Sequence, residues 1–297
     1  MAEIIDGKKI SEEIFSEIKS ELSKHKVKPG LGLILVGNNP ASEVYVKMKG
    51  KKCEELGYYS VTEKNPDSIT EQQLLLQIEA FNSDEKIHGI LVQLPLPKHI
   101  NEMKIIEAID YKKDIDGFHP INAGRMLIGE KCFIPCTPAG IMELISRYKI
   151  ETSGKNIVVL GRSNIVGKPI ANLLLQKNKN ARLRNGQANA TVTVCHSATE
   201  NISEHTKQAD IIIAAIGKAN FVKTEMIKDG CIIIDVGINR IEDSTKKNGY
   251  KIVGDVDYDS CFNKASMLTP VPGGVGPMTI AMLMKNTLDS ALKRIYA

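Results

Sequence analysis

The sequence has no C-x-x-C pair, no run of five like charges and no apolar stretch approaching a membrane span. Each absence removes a class of function. A transmembrane helix needs about 20 mostly apolar residues, and the unbroken apolar runs here are far shorter. Blocks of like charge mark the arms and patches that grip nucleic acid. With basic and acidic residues interspersed and a net charge of +4, no such surface is indicated. The N-terminus, Met1-Ala-Glu-Ile-Ile-Asp6, lacks the basic-then-apolar order of a secretory signal. The six cysteines (53, 132, 136, 195, 231 and 261) are scattered. Cys195 and Cys231 sit in or beside apolar strand-like runs, so buried free thiols in a reducing, cytoplasmic compartment are expected. Cys132 and Cys136 flank Ile134-Pro135 and read as packing. Internal repeats and low-complexity segments are also lacking.

What is present has the composition of a soluble globular protein, 42% apolar and 25% charged over 297 residues, enough for two domains. Ile10, Ile14, Ile18 and Leu22 recur every four positions and predict an amphipathic helix. Leu31 to Val36 reads as a strand. Asn39-Pro40 places a cap and a first-position proline before a helix that stops at Gly57. Thr70 and Gln73 suit a capping box ahead of Leu74, Leu75, Ile78 and Phe81. Ile90 to Leu94 is the next strand, ended by Pro95 and Pro97, and Thr137-Pro138 caps a helix through Ile141, Leu144 and Ile145. A second series follows: strand Asn156 to Leu160, turn Gly161 to Gly167, helix Ile170 to Leu175, then strands Thr191 to Cys195, Ile211 to Ile216 and Cys231 to Val236. Alternating strands and helices imply an α/β protein whose second half is a Rossmann-like, doubly wound parallel sheet. The polar, basic 178–190 stretch reads as a surface loop. The expected boundaries are 1–148 for a first domain, joined by a C-terminal helix 277–297 that packs back on it, and 149–276 for the second.

The densest motif is Thr269-Pro-Val-Pro-Gly-Gly-Val-Gly-Pro-Met-Thr279. Its prolines fix φ and remove N–H donors, and its glycines let backbone come close to a ligand. A rigid, bare loop opening into a helix suits a flat or anionic molecule, whereas an ordinary turn before a helix explains one Pro-Gly pair well and the whole run poorly. The turn Gly161-Arg162-Ser163-Asn164-Ile165-Val166-Gly167 is an irregular version of G-x-G-x-x-G, with Ser163 at the middle glycine. A P-loop is ruled out because Pro169 follows Lys168 where a hydroxyl is required. The next strand ends Cys195-His196-Ser197 with no acid to take ribose hydroxyls, whereas Arg162 and Ser197 suit a 2′-phosphate, which favours NADP over NAD. The alternative for Arg162 is a solvated loop cation.

Tyr45 and Lys49 share one helix face, and Tyr45 could orient the lysine while Gln93, at the end of a strand, could hydrogen-bond it. A lysine used for acid–base chemistry needs a lowered pKa. On spacing alone, Lys47, Lys49, Lys51 and Lys52 read more simply as a wet helix face. Lys113-Asp114-Ile115-Asp116-Gly117 has two acids without a histidine or third acid at ligand spacing, so no metal is expected. One carboxylate accepting two N–H donors from a guanidine-like heterocycle is a better use, and an Asx turn closed by Gly117 is the competing one.

Seven segments resemble, in order and over nearly the whole chain, the bifunctional methylenetetrahydrofolate dehydrogenase/methenyltetrahydrofolate cyclohydrolase family. They are Tyr45-Val-Lys-Met-Lys49, Val92-Gln-Leu-Pro-Leu-Pro97, Lys113-Asp-Ile-Asp-Gly117, Ile134-Pro-Cys-Thr-Pro138, Gly161 to Gly167, Cys195-His-Ser197 and Pro270 to Thr279. The 178–190 loop is longer than in many members. The resemblance implies Lys49 as general acid/base, with Tyr45 and Gln93 positioning it and Asp116 binding the pterin edge. It implies that Val92, Gln93, Leu94 and the loop Pro272, Gly273, Gly274, Val275 and Gly276 line the folate site. Gly161, Arg162, Ser163, Ser197 and Ile238 would bind NADP, both ligands would lie in a cleft between domains, and the protein would be a homodimer. A shikimate-type or amino-acid dehydrogenase, a non-catalytic folate or nucleotide binder, and a family member with little cyclohydrolase activity are the competing readings.

Overall fold

The computed structural model describes residues 1–177, 188–246 and 249–296, so the 178–190 loop lies outside the described residues apart from 188–190. The chain divides into two compact units, one of Met1–Glu12 with Thr137–Thr279, the other of Glu13–Cys136 with Ile280–Ala297.

In the second of these, three parallel strands are ordered Tyr59–Asn65, Gly30–Val36, Gly89–Val92. The central strand, Gly-Leu-Gly-Leu-Ile-Leu-Val, is buried at every residue, as a parallel strand covered on both faces must be. Ile34, Val36, Ile90 and Val92 form one core cluster with Leu74, Ile78 and Phe81. The expected capping box is present: Thr70 Oγ1 accepts from Gln73 N at 3.2 Å while Gln73 Oε1 accepts from Thr70 N at 3.0 Å. Helix Pro40–Leu56 starts where Asn39 Oδ1 accepts from Ser42 N and stops at Gly57, whose φ is +75°. The C-terminal helix, Val275–Ala291, starts earlier than expected. Its later part packs in this unit, where Tyr58 Oη donates to Met284 O at 3.0 Å. Strand Tyr59–Asn65 was not anticipated, because its polar sequence and half-exposed pattern are those of a sheet edge rather than a buried run. The strand read as ending at Leu94 ends at Val92, which leaves Gln93 and Leu94 just beyond it.

The other unit is a six-stranded sheet ordered Glu3–Ile4, Met267–Leu268, Ile232–Asp235, Ile211–Ala214, Asn156–Leu160, Thr191–Cys195, and every pairing is parallel. A reversal of strand order around Asn156–Leu160 and Ile211–Ala214 makes it doubly wound, with the ligand position expected at the carboxyl ends of those strands. The two-residue strands are too short to show periodicity. The remaining strands sit where the apolar runs place them, each of the last two ending one or two residues sooner. A hairpin of Asn239–Glu242 and Tyr250–Val253 is attached.

Candidate functional site

Helix Pro40–Leu56 buries Val46, Lys49, Cys53 and Leu56, a stripe at helical spacing that places a lysine among core residues. Lys49 is 8% exposed, whereas Lys47 and Lys51 are exposed, so the wet-face reading fails for Lys49. Its ammonium donates to Gln93 Oε1 at 3.0 Å. Gln93 is fixed in turn, since its Nε2 donates to Leu94 O and its backbone N to Ile34 O. Burial holds the Lys49 ammonium below its ordinary 10.5, against the opposing pull of the Asp116 carboxylate. Burial raises Asp116 above its ordinary 3.8, opposed by Lys49 and by a hydrogen bond from the Cys136 thiol. A base made easier to deprotonate and an acid made harder to ionise thus share one low-dielectric site. Tyr45 is half-buried one turn before Lys49 on the same helix.

Asp114 and Asp116 of Lys113-Asp-Ile-Asp-Gly117 have different surroundings. Asp114 makes the turn: its carboxylate accepts from Phe118 N, His119 N and Asn122 Nδ2. Asp116 is left for the Lys49 cluster. Gly117 has φ +70°, and a Cβ there would lie 2.7 Å from Phe133 O. Lys113 anchors the loop by donating to the carbonyls of Phe81, Asn82 and Asp84 at the end of helix Glu71–Ser83. Cys136 was read as packing. It is buried, but its thiol also meets Ile115 O at 3.5 Å and the Asp116 carboxylate.

In the other unit, Gly161 follows strand Asn156–Leu160 with φ +114°, and a Cβ there would lie 2.1 Å from Ala215 O. Gly167 opens helix Gly167–Leu175, where a Cβ would lie 2.2 Å from Gly161 O. The two glycines therefore do what the first and third of the dinucleotide fingerprint do, at a wider spacing. Ser163 Oγ accepts from Val166 N and Gly167 N, ordering the helix start. Arg162 and Ser197 are exposed at the ends of neighbouring strands. Arg162 Nη1 lies 3.3 Å from His196 Nε2, while Ala198 N donates to His196 Nδ1. A neutral ring accepting at Nδ1 carries its proton on Nε2, so two donors face one another. An anion between them would resolve that opposition.

The Gly/Pro loop is fixed by the first helix. Lys8 N donates to Gly273 O at 2.9 Å, and a Cβ on Gly7 would lie 1.8 Å from Gly274 O. Gly273 has φ +111°, and Gly276 is close to the half-exposed Ile238, whose Cδ1 is 3.9 Å from where a Cβ would be. Pro272 is exposed, while Gly274 and Val275 are buried. Sequence reading missed Gly7, and it missed a pair of buried acids. Asp235 accepts from Gly237 N, Asp255 N and Val256 N. Asp255 accepts from Ile216 N, Gly217 N and Lys218 N, which shapes the loop after strand Ile211–Ala214. Burial pushes Asp235 up to about 6. The glycines at 237 and 254 were the available signal, since any side chain there would strike these carboxylates. Among the described residues no group of three His, Cys, Asp or Glu side chains is placed to hold a metal ion.

Residues 5–116 match the model of the tetrahydrofolate dehydrogenase/cyclohydrolase catalytic domain, and residues 135–295 match that family's NAD(P)-binding domain. The chain is 57% identical over 293 residues to the bifunctional protein FolD of Prosthecochloris aestuarii, covering 97% of each. Its structure superposes with a TM-score of 0.90 on the FolD methylenetetrahydrofolate dehydrogenase/cyclohydrolase of Campylobacter jejuni, at 47% identity over 99% of this chain and 100% of that one. The Trypanosoma brucei enzyme, complexed with NADP cofactor and inhibitor, gives 0.90 at 37% identity over 100% and 99%. Matches of this extent, across both units and over all of the site residues described, establish that the chain belongs to the tetrahydrofolate dehydrogenase/cyclohydrolase family.

Proposed function

We propose that the protein oxidises 5,10-methylenetetrahydrofolate to 5,10-methenyltetrahydrofolate with NADP and hydrolyses that product to 10-formyltetrahydrofolate, in one-carbon metabolism. The observation that carries the reading is the buried Lys49, hydrogen-bonded to Gln93 and electrostatically coupled to Asp116. Asp116 receives the amino and ring N–H edge of the pterin, for which a carboxylate is the matching acceptor. Tyr45, Val92, Gln93 and Leu94 line the ring, with Pro272 to Gly276 as the second lining segment. In domain terms, Glu13–Cys136 with Ile280–Ala297 is the folate-binding catalytic domain and Met1–Glu12 with Thr137–Thr279 the NADP-binding domain, in place of the expected 1–148 with 277–297 and 149–276.

The turn fits the cofactor, because Gly161 and Gly167 leave bare backbone where a Cβ would block approach, and Arg162, His196 and Ser197 offer donors to a 2′-phosphate. Ile238 contributes an apolar contact. NADP bound there supplies the hydride acceptor. In the first step the protein's part is placement, since hydride leaves the one-carbon bridge without a proton transfer. In the second step water adds to the cationic methenyl carbon and the ring opens. Lys49 moves the protons, and its lowered pKa lets the neutral amine form nearer to neutrality.

A direct test follows absorbance with methylenetetrahydrofolate and NADP. Reduced cofactor should accumulate with no lasting methenyl signal. Accumulation of both would mean a dehydrogenase with little cyclohydrolase, and no change from folded protein would sink the reading.

The cytoplasm is the expected site of action, in keeping with six buried cysteines that are not in disulfides. Among the described residues no helix is long and apolar enough to cross a membrane. Among the described residues the strand Thr191–Cys195 ends the sheet order, with Thr191, Thr193 and Val194 exposed, and it suits pairing with a second copy. Sedimentation should give about twice the 32.6 kDa chain mass, and a single 32.6 kDa species at working concentration would refute the homodimer.

A further inference from the structure

We propose that Asn286 is a positioning residue for the Asp116 carboxylate, an inference that rests on the folate-binding role given to Asp116 above. Asn286 lies on helix Val275–Ala291 and is 8% exposed. A primary amide has two N–H donors. Both are used on backbone carbonyls of two different segments, Ile115 O at 2.8 Å and Ile134 O at 3.2 Å, with Cys136 Sγ at 3.8 Å.

Ile115 immediately precedes Asp116, and Ile134 lies two residues before Cys136. Cys136 in turn reaches both Ile115 O and the Asp116 carboxylate. One buried amide therefore ties the loop that presents Asp116 to the segment that presents the thiol bonded to it. Lys113 and Asp114 fix the loop's start and its turn. Asn286 holds the peptide directly before the functional acid. Without it, Ile115 O keeps only the weak thiol donor, Ile134 O loses its amide partner, and the loop gains freedom at the point where the carboxylate must meet a planar ligand edge.

The neighbouring residue supplies a matched control. Thr287 is fully buried on the same helix, and its hydroxyl donates to Leu283 O within that helix. Thr287→Val tests the cost of disturbing the helix without touching the Asp116 loop.

The experiment measures KM and kcat of the dehydrogenase for methylenetetrahydrofolate and for NADP in Asn286→Ala, Asn286→Asp, Asn286→Ser, Thr287→Val and Asp116→Asn, all in the full chain. Asn286→Ala should raise the folate KM by about tenfold, the size of one well-placed polar interaction, with NADP KM unchanged. Asn286→Asp keeps the shape but offers no donor, so it should do at least as much. Asn286→Ser keeps one donor, should fall between, and carries the test if the other two fail to fold. Thr287→Val should leave the folate KM as it is in the parent.

Unchanged folate KM in folded Asn286 variants, while Asp116→Asn raises it, would overturn the positioning role alone. An equal rise in both KM values, or a rise in Thr287→Val matching that in Asn286→Ala, would reduce Asn286 to a structural residue. Unchanged folate KM in Asp116→Asn would overturn the reading of Asp116, and the proposal with it.

Discussion

Lys49→Ala is expected to abolish hydrolysis of methenyltetrahydrofolate while leaving much of the dehydrogenase rate. A positioned acid–base group contributes about 100- to 10,000-fold to a step that moves protons, and hydrolysis is such a step. Hydride transfer asks only that donor and acceptor be held in contact, so its loss should be smaller, below about tenfold, and confined to substrate placement. Lys49→Arg sharpens the distinction. A guanidinium keeps the positive charge beside Asp116 but does not deprotonate, so hydrolysis should remain lost. The pH dependence has a definite sign. Burial holds Lys49 below 10.5, so the neutral amine grows as pH rises toward that lowered value, and hydrolysis in the parent should climb with it. Lys49→Ala should lose that climb. The measurement is the methenyl absorbance decay, supplied directly, beside the rate of cofactor reduction. Equal loss of both activities in a folded variant would remove Lys49 from the proton-transfer role.

The sequence pattern reached further at this site than its charges suggested. Four lysines in six residues look like a solvated face. The burial stripe Val46, Lys49, Cys53 and Leu56 was nevertheless readable from helical spacing, because Lys49 occupies the apolar phase. The capping box at Thr70 and the cap at Asn39 were legible because a cap is a local interaction between neighbours in sequence. Strand Tyr59–Asn65 was not, since an edge strand gains its order from the partner beside it rather than from an apolar run.

The same limit explains the residues overlooked at the loops. Gly7 matters through a carbonyl far along the chain, Gly274 O, and nothing near Gly7 in sequence announces it. Asp235 and Asp255 face backbone N–H groups brought in by folding. Cys136 could be placed in a helix start, but its approach to Asp116 depends on how two loops meet. For Asp114 and Asp116 the residue types alone could not say which acid orders the turn, and the hydrogen bonds give that part to Asp114.

Gly161→Ala should produce the complementary loss. At φ +114° an L side chain is strained whatever space surrounds it, at a cost of about 1–3 kcal/mol. The added Cβ would also sit 2.1 Å from Ala215 O, a backbone atom of the loop after the neighbouring strand, so the turn itself must move. That displaces the approach to helix Gly167–Leu175, where even a Cβ on Gly167 would lie 2.2 Å from Gly161 O. A cofactor that depends on bare backbone there should bind about 100-fold more weakly, which corresponds to roughly 2.7 kcal/mol. The dehydrogenase KM for NADP should rise by that factor. Hydrolysis of methenyltetrahydrofolate supplied directly consumes no nucleotide and should stay within about twofold of the parent, since ligand-independent chemistry at Lys49 does not draw on this turn. Circular dichroism and the hydrolysis rate together guard against global unfolding. Loss of hydrolysis in step with NADP affinity would mean that the strain at Gly161 spreads through the fold rather than staying at the cofactor turn. Retained hydrolysis with a raised NADP KM would make Gly161 and Lys49 opposite separations of the two activities, each through a different physical cause: backbone room in one case, a titrating amine in the other.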